Sequence, residues 1–292
     1  MATSRGLITT CLLLLVSLQG QTADAITADG VLQDASGLDI MEAVYSRHQK
    51  YPWVYEEQSM ILIDQRGNKN TRKLRRYSRL ADNGSADLLL LFDSPTDVKG
   101  VALLANRDAQ GQMTQAFYLP AFGPQFVRAD SSTSSQQQDN FLGTDYSIDS
   151  LVGEVLEDHR YERVEDFNYR DIDYFVIDVY RKNAAESLAR RHYIRQDNLF
   201  ITRSDHFDEI GRLRKRQTQH DLTNVHGDMW RANMMMMDNE HLSHRTVIKI
   251  DKRIFSRDYV PEEVFTEAWI VANRSIEIEQ DPDGPVEDSS DD

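Results

Sequence analysis

The chain has 292 residues, with 33 Lys and Arg against 48 Asp and Glu, a formal charge of -15 and one cysteine. A nucleic-acid interface needs a basic face, and this balance speaks against one. One cysteine excludes an intrachain disulfide and any metal site built from several thiolates.

The first segment reads as an export signal. Arg5 supplies a positive start, Leu7 to Leu18 is an apolar run, and Ala23-Asp24-Ala25 has the small-x-small form of a cleavage site. The run is too short for a membrane span, which takes about 20 apolar residues. The lone Cys11 sits inside this run instead of after it, which does not suit a lipid anchor. Cleavage after Ala25 leaves a cysteine-free chain that is long enough to rely on a buried core. An exported chain without cysteine fits a bacterial periplasm. The expected organisation is a signal peptide over 1–25, a single domain over 26–275 and an acidic tail over 276–292. The tail has eight acids and no base, and its composition is that of a disordered, solubilising end.

Helical spacing places Leu38, Met41, Val44, Tyr45 and His48 on one stripe and predicts a helix over 36–48, capped by Ser36 or Asp39. Residues 53–64 read as a strand, 65–68 as a turn and the run to Leu80 as the hairpin partner. Lys69 to Arg76 is the one rich basic run, and its alternation suits a charged sheet face. Residues 87–92, 100–106 and the stretch ending at Tyr118 are further strands. Arg107, Asp108 and Asp130 read as loop charges. The polar stretch 129–140 reads as a mobile loop and 148–157 as a short helix. Strands follow over 174–180, 190–196, 199–203, 213–220, 229–238 and 245–250. Pro261-Glu262-Glu263 has the composition of a helix start. The fold class is mainly β, within α+β: a large curved antiparallel sheet partly closed around helices. A β-sandwich is the competing arrangement.

The run Met229 to Met237 is the most unusual strand. At a period of two, Trp230, Ala232, Met234 and Met236 share one face, and Met229, Arg231, Asn233, Met235 and Met237 share the other. Methionine adapts to irregular space and to varied apolar ligands, so the strand suits either a lipid cavity or an ordinary core. Chemistry-bearing motifs are sparse. His241 and His244 have an H-x-x-H spacing, but three residues along a strand puts them on opposite faces. Neither a zinc signature, a P-loop nor a nucleophile elbow occurs. Asp205-His206 would be half a triad with no serine to complete it. The acidic pairs Glu56/Glu57 and Asp171/Asp173 arise easily by chance among 48 acids.

Six fragments form an ordered set: Ser94 to Gly100, Tyr118 to Ala121, Phe141 to Tyr146, Asp208 to Lys215, Met234 to Asn239 and His244 to Thr246. In order and spacing the chain resembles, over residues 38–270, the outer membrane lipoprotein-sorting protein family. That family is a branch of the superfamily of the periplasmic lipoprotein carriers LolA and LolB. The resemblance implies an unclosed antiparallel β-barrel of the LolA/LolB type, with helices covering the concave face and an apolar cavity between them. It implies an exported, non-enzymatic protein with no catalytic residue, cofactor or metal. Such a protein binds or ferries a lipid, acyl chain or lipid-modified ligand, beside an inner-membrane transporter of the resistance-nodulation-division (RND) class. It would bind no nucleic acid and would not insert stably in a membrane. Trp230, Met234, Met236, Leu89, Leu91 and Leu103 are the cavity candidates, with the inward strand face left open. The alternative is an accessory protein that contacts an envelope transporter and carries no lipid.

Pro95, Val98, Gly100, Leu104, Tyr118, Leu119, Pro120, Phe141, Gly143, Thr144, Asp145 and Tyr146 match the family's signature positions. Gly100 and Gly143 suit tight turns, and Pro95 and Pro120 suit strand ends. Asp145 would satisfy buried backbone or a tyrosine hydroxyl. The long 129–140 loop, the region 181–206 and the acidic tail depart from the pattern.

Overall fold

The computed structural model describes residues 32–81, 83–122, 126–129, 141–153, 155–182 and 187–273. The export signal, the acidic tail, Asp130 and the rest of the 130–140 stretch lie outside the described residues. Helix α1 (Gly37–His48) starts at Ser36, whose side chain accepts from the Asp39 amide while the Asp39 carboxylate accepts from the Ser36 amide. This reciprocal pair satisfies two of the amides that every helix start leaves open. The strands are β1 (Trp53–Ile63), β2 (Lys69–Leu80), β3 (Ala86–Ser94), β4 (Ala102–Arg107), β5 (Met113–Tyr118) and β6 (Phe126–Ala129). Helix α2 (Ile148–Val152) follows, then β7 (His159–Arg163), β8 (Phe167–Tyr169), β9 (Ile172–Arg181), β10 (Leu188–Arg195) and β11 (Ile201–Phe207). The last elements are β12 (Leu213–His226), β13 (Met229–Asn239), β14 (His244–Ile254) and helix α3 (Glu267–Asn273).

All the strands join one antiparallel 14-stranded sheet in the order β6-β5-β4-β3-β2-β1-β14-β13-β12-β11-β10-β9-β7, with β8 also on β9. Most neighbours are successive hairpins, and β1 pairs with β14 to bring the two halves of the chain together. The order ends in two different strands, β6 and β7, so the barrel is unclosed. A sandwich of two sheets is ruled out by this continuous ladder. The sequence reading missed β6, β7 and β8, which lie at or near these edges. They are short, and His159–Arg163 is mostly charged or polar, so neither period nor length marks them.

Side chains of directly paired residues point to the same face, so the register traces one face across the sheet. Phe117, Leu103 and Leu90 are consecutive partners. Phe92, Leu74 and Gln58 continue the same face, and Leu62, Thr246 and Met237 carry it across the centre. Gln217, Ser204, His192 and Ile177 carry it to the far end. This face, called inner here, carries both α1 and α2. Phe141, Tyr146 and Ile148 pack with Met60, Leu74, Leu90 and Leu103 in one apolar cluster. Helix α1 lays Ile40, Met41 and Val44 on Phe175, Ile177, Val179 and Ile194 in another. The helix stripe is thus rotated from the one expected: Ile40 is buried and Leu38 is 44 % exposed. The opposite face carries the C-terminal segment, with Val260, Val264 and Ile270 on Tyr55, Tyr77, Leu89, Leu91 and Leu104.

Helix α1 reaches the sheet so closely that Gly37 leaves no room for a side chain. A Cβ at Gly37 would lie 2.9 Å from backbone atoms of Tyr161, Glu162 and Arg163 in β7. Gly37→Ala is therefore expected to cost about 1–2 kcal/mol by forcing helix and strand apart, seen as a lowered urea midpoint with unchanged slope. An unchanged midpoint would show that the α1–β7 contact relaxes freely.

Candidate ligand site on the inner face

The signature residues build the support of this face. Leu142 (φ 47°) and Gly143 (φ 76°) turn the chain tightly, and Thr144 N–H donates to Phe141 O at 2.8 Å. The turn presents Asp145, 2 % exposed, to the end of the β13–β14 hairpin. One oxygen accepts from His244 Nδ1 and from Thr246 Oγ1, both at 2.7 Å. The other accepts from Asn239 Nδ2 at 3.1 Å. Thr246 Oγ1 in turn accepts from the Asp145 amide at 2.9 Å. The partners of Asp145 are thus side chains of β13 and β14, where the sequence pointed to backbone or a tyrosine hydroxyl. The conformations expected at Gly100 and Gly143 are present, with φ of 82° and 76°. Tyr118 is buried under Phe126, which it meets at 5.2 Å between ring centroids. Pro120 opens a 3-10 turn directly after β5.

A polar strip lies on the inner face of β2, β1, β14 and β13, on the same strands as Leu74, Met60, Ile248 and Met237 of the first apolar cluster. At its centre is Glu56, 5 % exposed. Arg253 Nε donates to its Oε1 at 2.6 Å, Gln58 Nε2 donates to its Oε2 at 2.6 Å, and Arg76 lies 3.6 Å from Oε2. Burial alone would raise the Glu56 carboxyl, but Arg76, Arg253 and Gln58 outweigh it and hold it below the usual carboxylate range. Arg231 stands beside this group without a carboxylate partner among the described residues. Its guanidinium donates to Trp230 O at 3.1 Å and lies 5.8 Å from the Phe255 ring centroid. Burial, and then the Arg253 charge, lower Arg231 to about 10.

His48, at the end of α1, ties the helix to this strip. Its Nε2–H donates to Asn198 O and Leu199 O at 3.2 and 3.1 Å, while Nδ1 accepts the Trp230 amide at 3.2 Å. Both ring nitrogens are used by the neutral imidazole. Burial, and then the Arg231 charge, push its pKa down to about 4.

The six cavity candidates do not share a face. Leu103 lies on the inner face, buried in the cluster under Phe141 and Ile148. Leu89 and Leu91 lie on the opposite face, under the C-terminal segment. Trp230, Met234 and Met236 share that opposite face, as the Met236–Val247–Ile61 pairing shows. Their alternates on β13, Met235 and Met237, pack on the inner face. Other expectations change with the structure. The basic run on β2 is not a solvated sheet face: Arg75 is buried against Asp93, with a contact of 2.9 Å, and Arg76 reaches Glu56. Arg107 is no loop charge, since it ends β4 and donates to Gly153 O at 2.8 Å. Asp205 accepts from Arg203 and Arg216 on one face of the sheet, and His206, the next residue of the strand, points to the other. The sequence reading missed the Glu56–Arg76–Arg231–Arg253 group. Its one sequence signal was Arg231 interrupting an apolar methionine strand.

A family model whose description reads "Uncharacterized protein" matches residues 84–271, more than half of the chain. The chain belongs to this family. No curated protein matches it. Among solved structures, the chain is similar to an outer membrane lipoprotein-sorting protein domain from Vibrio parahaemolyticus. The two are 23% identical with a TM-score of 0.72, covering 80% of this chain and 97% of that one. A DUF1329 family protein from Desulfovibrio piger is 21% identical with a TM-score of 0.68, covering 79% and 98%. A LolA superfamily protein from Nitrosomonas europaea is 14% identical with a TM-score of 0.60, covering 80% and 99%. The fold is therefore the LolA-like one that the sequence resemblance implied, an unclosed antiparallel barrel with helices on its concave face.

Proposed function

We propose that the protein is a non-enzymatic periplasmic carrier or binding protein for a lipid, acyl chain or lipid-modified ligand, working beside an RND-type envelope transporter. The observation that carries this reading is the inner face of the LolA-like sheet. There, Met113, Phe117, Leu151, Val152, Met235 and Ile250 are only partly buried at the border of a closed core. Partly exposed apolar side chains beside helical covers are the surface an acyl chain uses, and methionine adapts to chains of different shape. The likeness in fold to a lipoprotein-sorting protein domain and to a LolA superfamily protein supports the reading. The signal-like leader supports the location. Among the described residues no helix is long and apolar enough to cross a membrane.

Native mass spectrometry of the full chain, expressed with its leader and gently extracted, tests the proposal. The expected result is a mass excess that organic solvent releases. Met235→Asp, on the inner face, is expected to abolish that excess. Met234→Asp, on the opposite face with Trp230 and Met236, should leave it in place. A bare mass for the unaltered protein would overturn the carrier reading. Loss of the excess with Met234→Asp alone would move the ligand to the opposite face.

A further inference from the structure

We propose that Arg76, Arg231 and Arg253 form the seat of an anionic headgroup, so that the ligand is a phosphate- or carboxylate-headed amphiphile. This rests on the carrier reading and names its ligand class. Three guanidinium groups gather on the inner face around one carboxylate. Glu56 is already fully engaged, with Arg253 on one oxygen and Gln58 and Arg76 on the other. The rest of Arg253 is directed to Asn233 Oδ1 and Ala232 O, at 3.1 and 2.9 Å, and Arg76 donates to Leu151 O at 3.0 Å. The group therefore carries an excess of two positive charges, and among the described residues Arg231 has a carbonyl and the Phe255 ring as partners and no carboxylate.

Partly dehydrated charge without a counter-charge is costly, and an apolar residue at position 231 would suit a strand of methionines better. An acidic headgroup supplies the missing charge, and the planar guanidinium fork matches phosphate and carboxylate alike. The surroundings also fit an amphiphile better than a free anion. Arg76 holds the Leu151 carbonyl of α2, and the Leu151 and Val152 side chains belong to the partly buried apolar border. Along β13 the same face runs from Arg231 through Asn233 to Met235, about 13 Å for four residues. Head and tail surfaces are thus continuous.

Calorimetric titration of the full chain with monomeric dodecyl phosphate, dodecyl maltoside and inorganic phosphate tests this. Dodecyl phosphate should bind at least about tenfold tighter than dodecyl maltoside, as expected for charge-assisted hydrogen bonds. Arg231→Gln should remove that preference, and Arg231→Lys should keep part of it. Should Arg231→Gln fail to fold, dodecyltrimethylammonium decides on the unaltered protein, and it should bind more weakly than the maltoside. Equal affinity for the anionic and neutral amphiphiles would overturn the headgroup seat and leave the carrier reading standing. Inorganic phosphate binding as tightly as dodecyl phosphate would make this a free-anion site and overturn the amphiphile. Binding of no amphiphile at all would remove both proposals together.

Discussion

Asp145→Ala should lower the unfolding free energy by about 3–5 kcal/mol, the range for removing one partner of a buried ionic or charge-assisted network. The substitution strands three side chains at once. His244 Nδ1, Thr246 Oγ1 and Asn239 Nδ2 all donate to this carboxylate, and Thr246 and Asn239 are themselves buried. It also frees the turn that carries Phe141 and Tyr146 into the inner cluster, so the loss spreads into apolar packing. Asp145→Asn should cost less, because the amide keeps one accepting oxygen. Urea unfolding followed by tryptophan fluorescence measures both. A wild-type midpoint for Asp145→Ala would show that the turn is held by its apolar residues alone.

The protein should also lose stability on mild acidification, and His48 should account for much of the loss. Its folded pKa is about 4, against about 6.5 in an unfolded chain. Between these values the unfolded state binds the proton and the folded state does not, so stability rises with pH in this window. The contribution is fully present above about pH 6.5, shrinks as pH falls and is gone below about pH 4. Over the part of this window above pH 5, the expected loss is about 2 kcal/mol. Physically, protonation puts a hydrogen on Nδ1, which must then face the Trp230 amide, and it places a cation beside Arg231. Unfolding curves at pH 7 and pH 5 should therefore separate more for the unaltered protein than for His48→Gln, which cannot titrate. Equal separation would show that His48 does not set the acid sensitivity, since Glu56 and Asp205, held below the ordinary carboxylate range against their burial by their arginines, lose their contribution only below about pH 5.

Most of the central architecture was legible from periodicity and turn chemistry. The β1–β2 hairpin was marked by Gln65 to Asn68, and the structure places the hairpin there. The methionine strand fell within two residues of its observed limits. Legibility failed where length or contrast failed. β7 and β8 are short edge strands with charged or exposed residues, so neither burial nor alternation announced them. Where the chain fitted the family pattern poorly, the strands expected over 190–196 and 199–203 are present as β10 and β11, and only their ends differ, by one to four residues. The pairing shifts register between Tyr193 and Ile194, and such a bulge moves the alternation by one residue.

The candidate site divides in the same way. Asp145 and its neighbours were singled out from a local run, because a turn of that kind is written in consecutive residues. Glu56, Arg76, Arg231 and Arg253 were not, because they sit on four different strands. Only the β2-β1-β14-β13 order brings them to one face. The sequence by itself determined an antiparallel mainly β chain, the turn carrying Asp145, and two alternating faces on the methionine strand. The tertiary structure decided which of those faces looks inward, because helix α1 and helix α2 both settle on the side of Met235 and Arg231. The same register left one carboxylate among three arginines, since the charge balance of a face depends on which strands become neighbours.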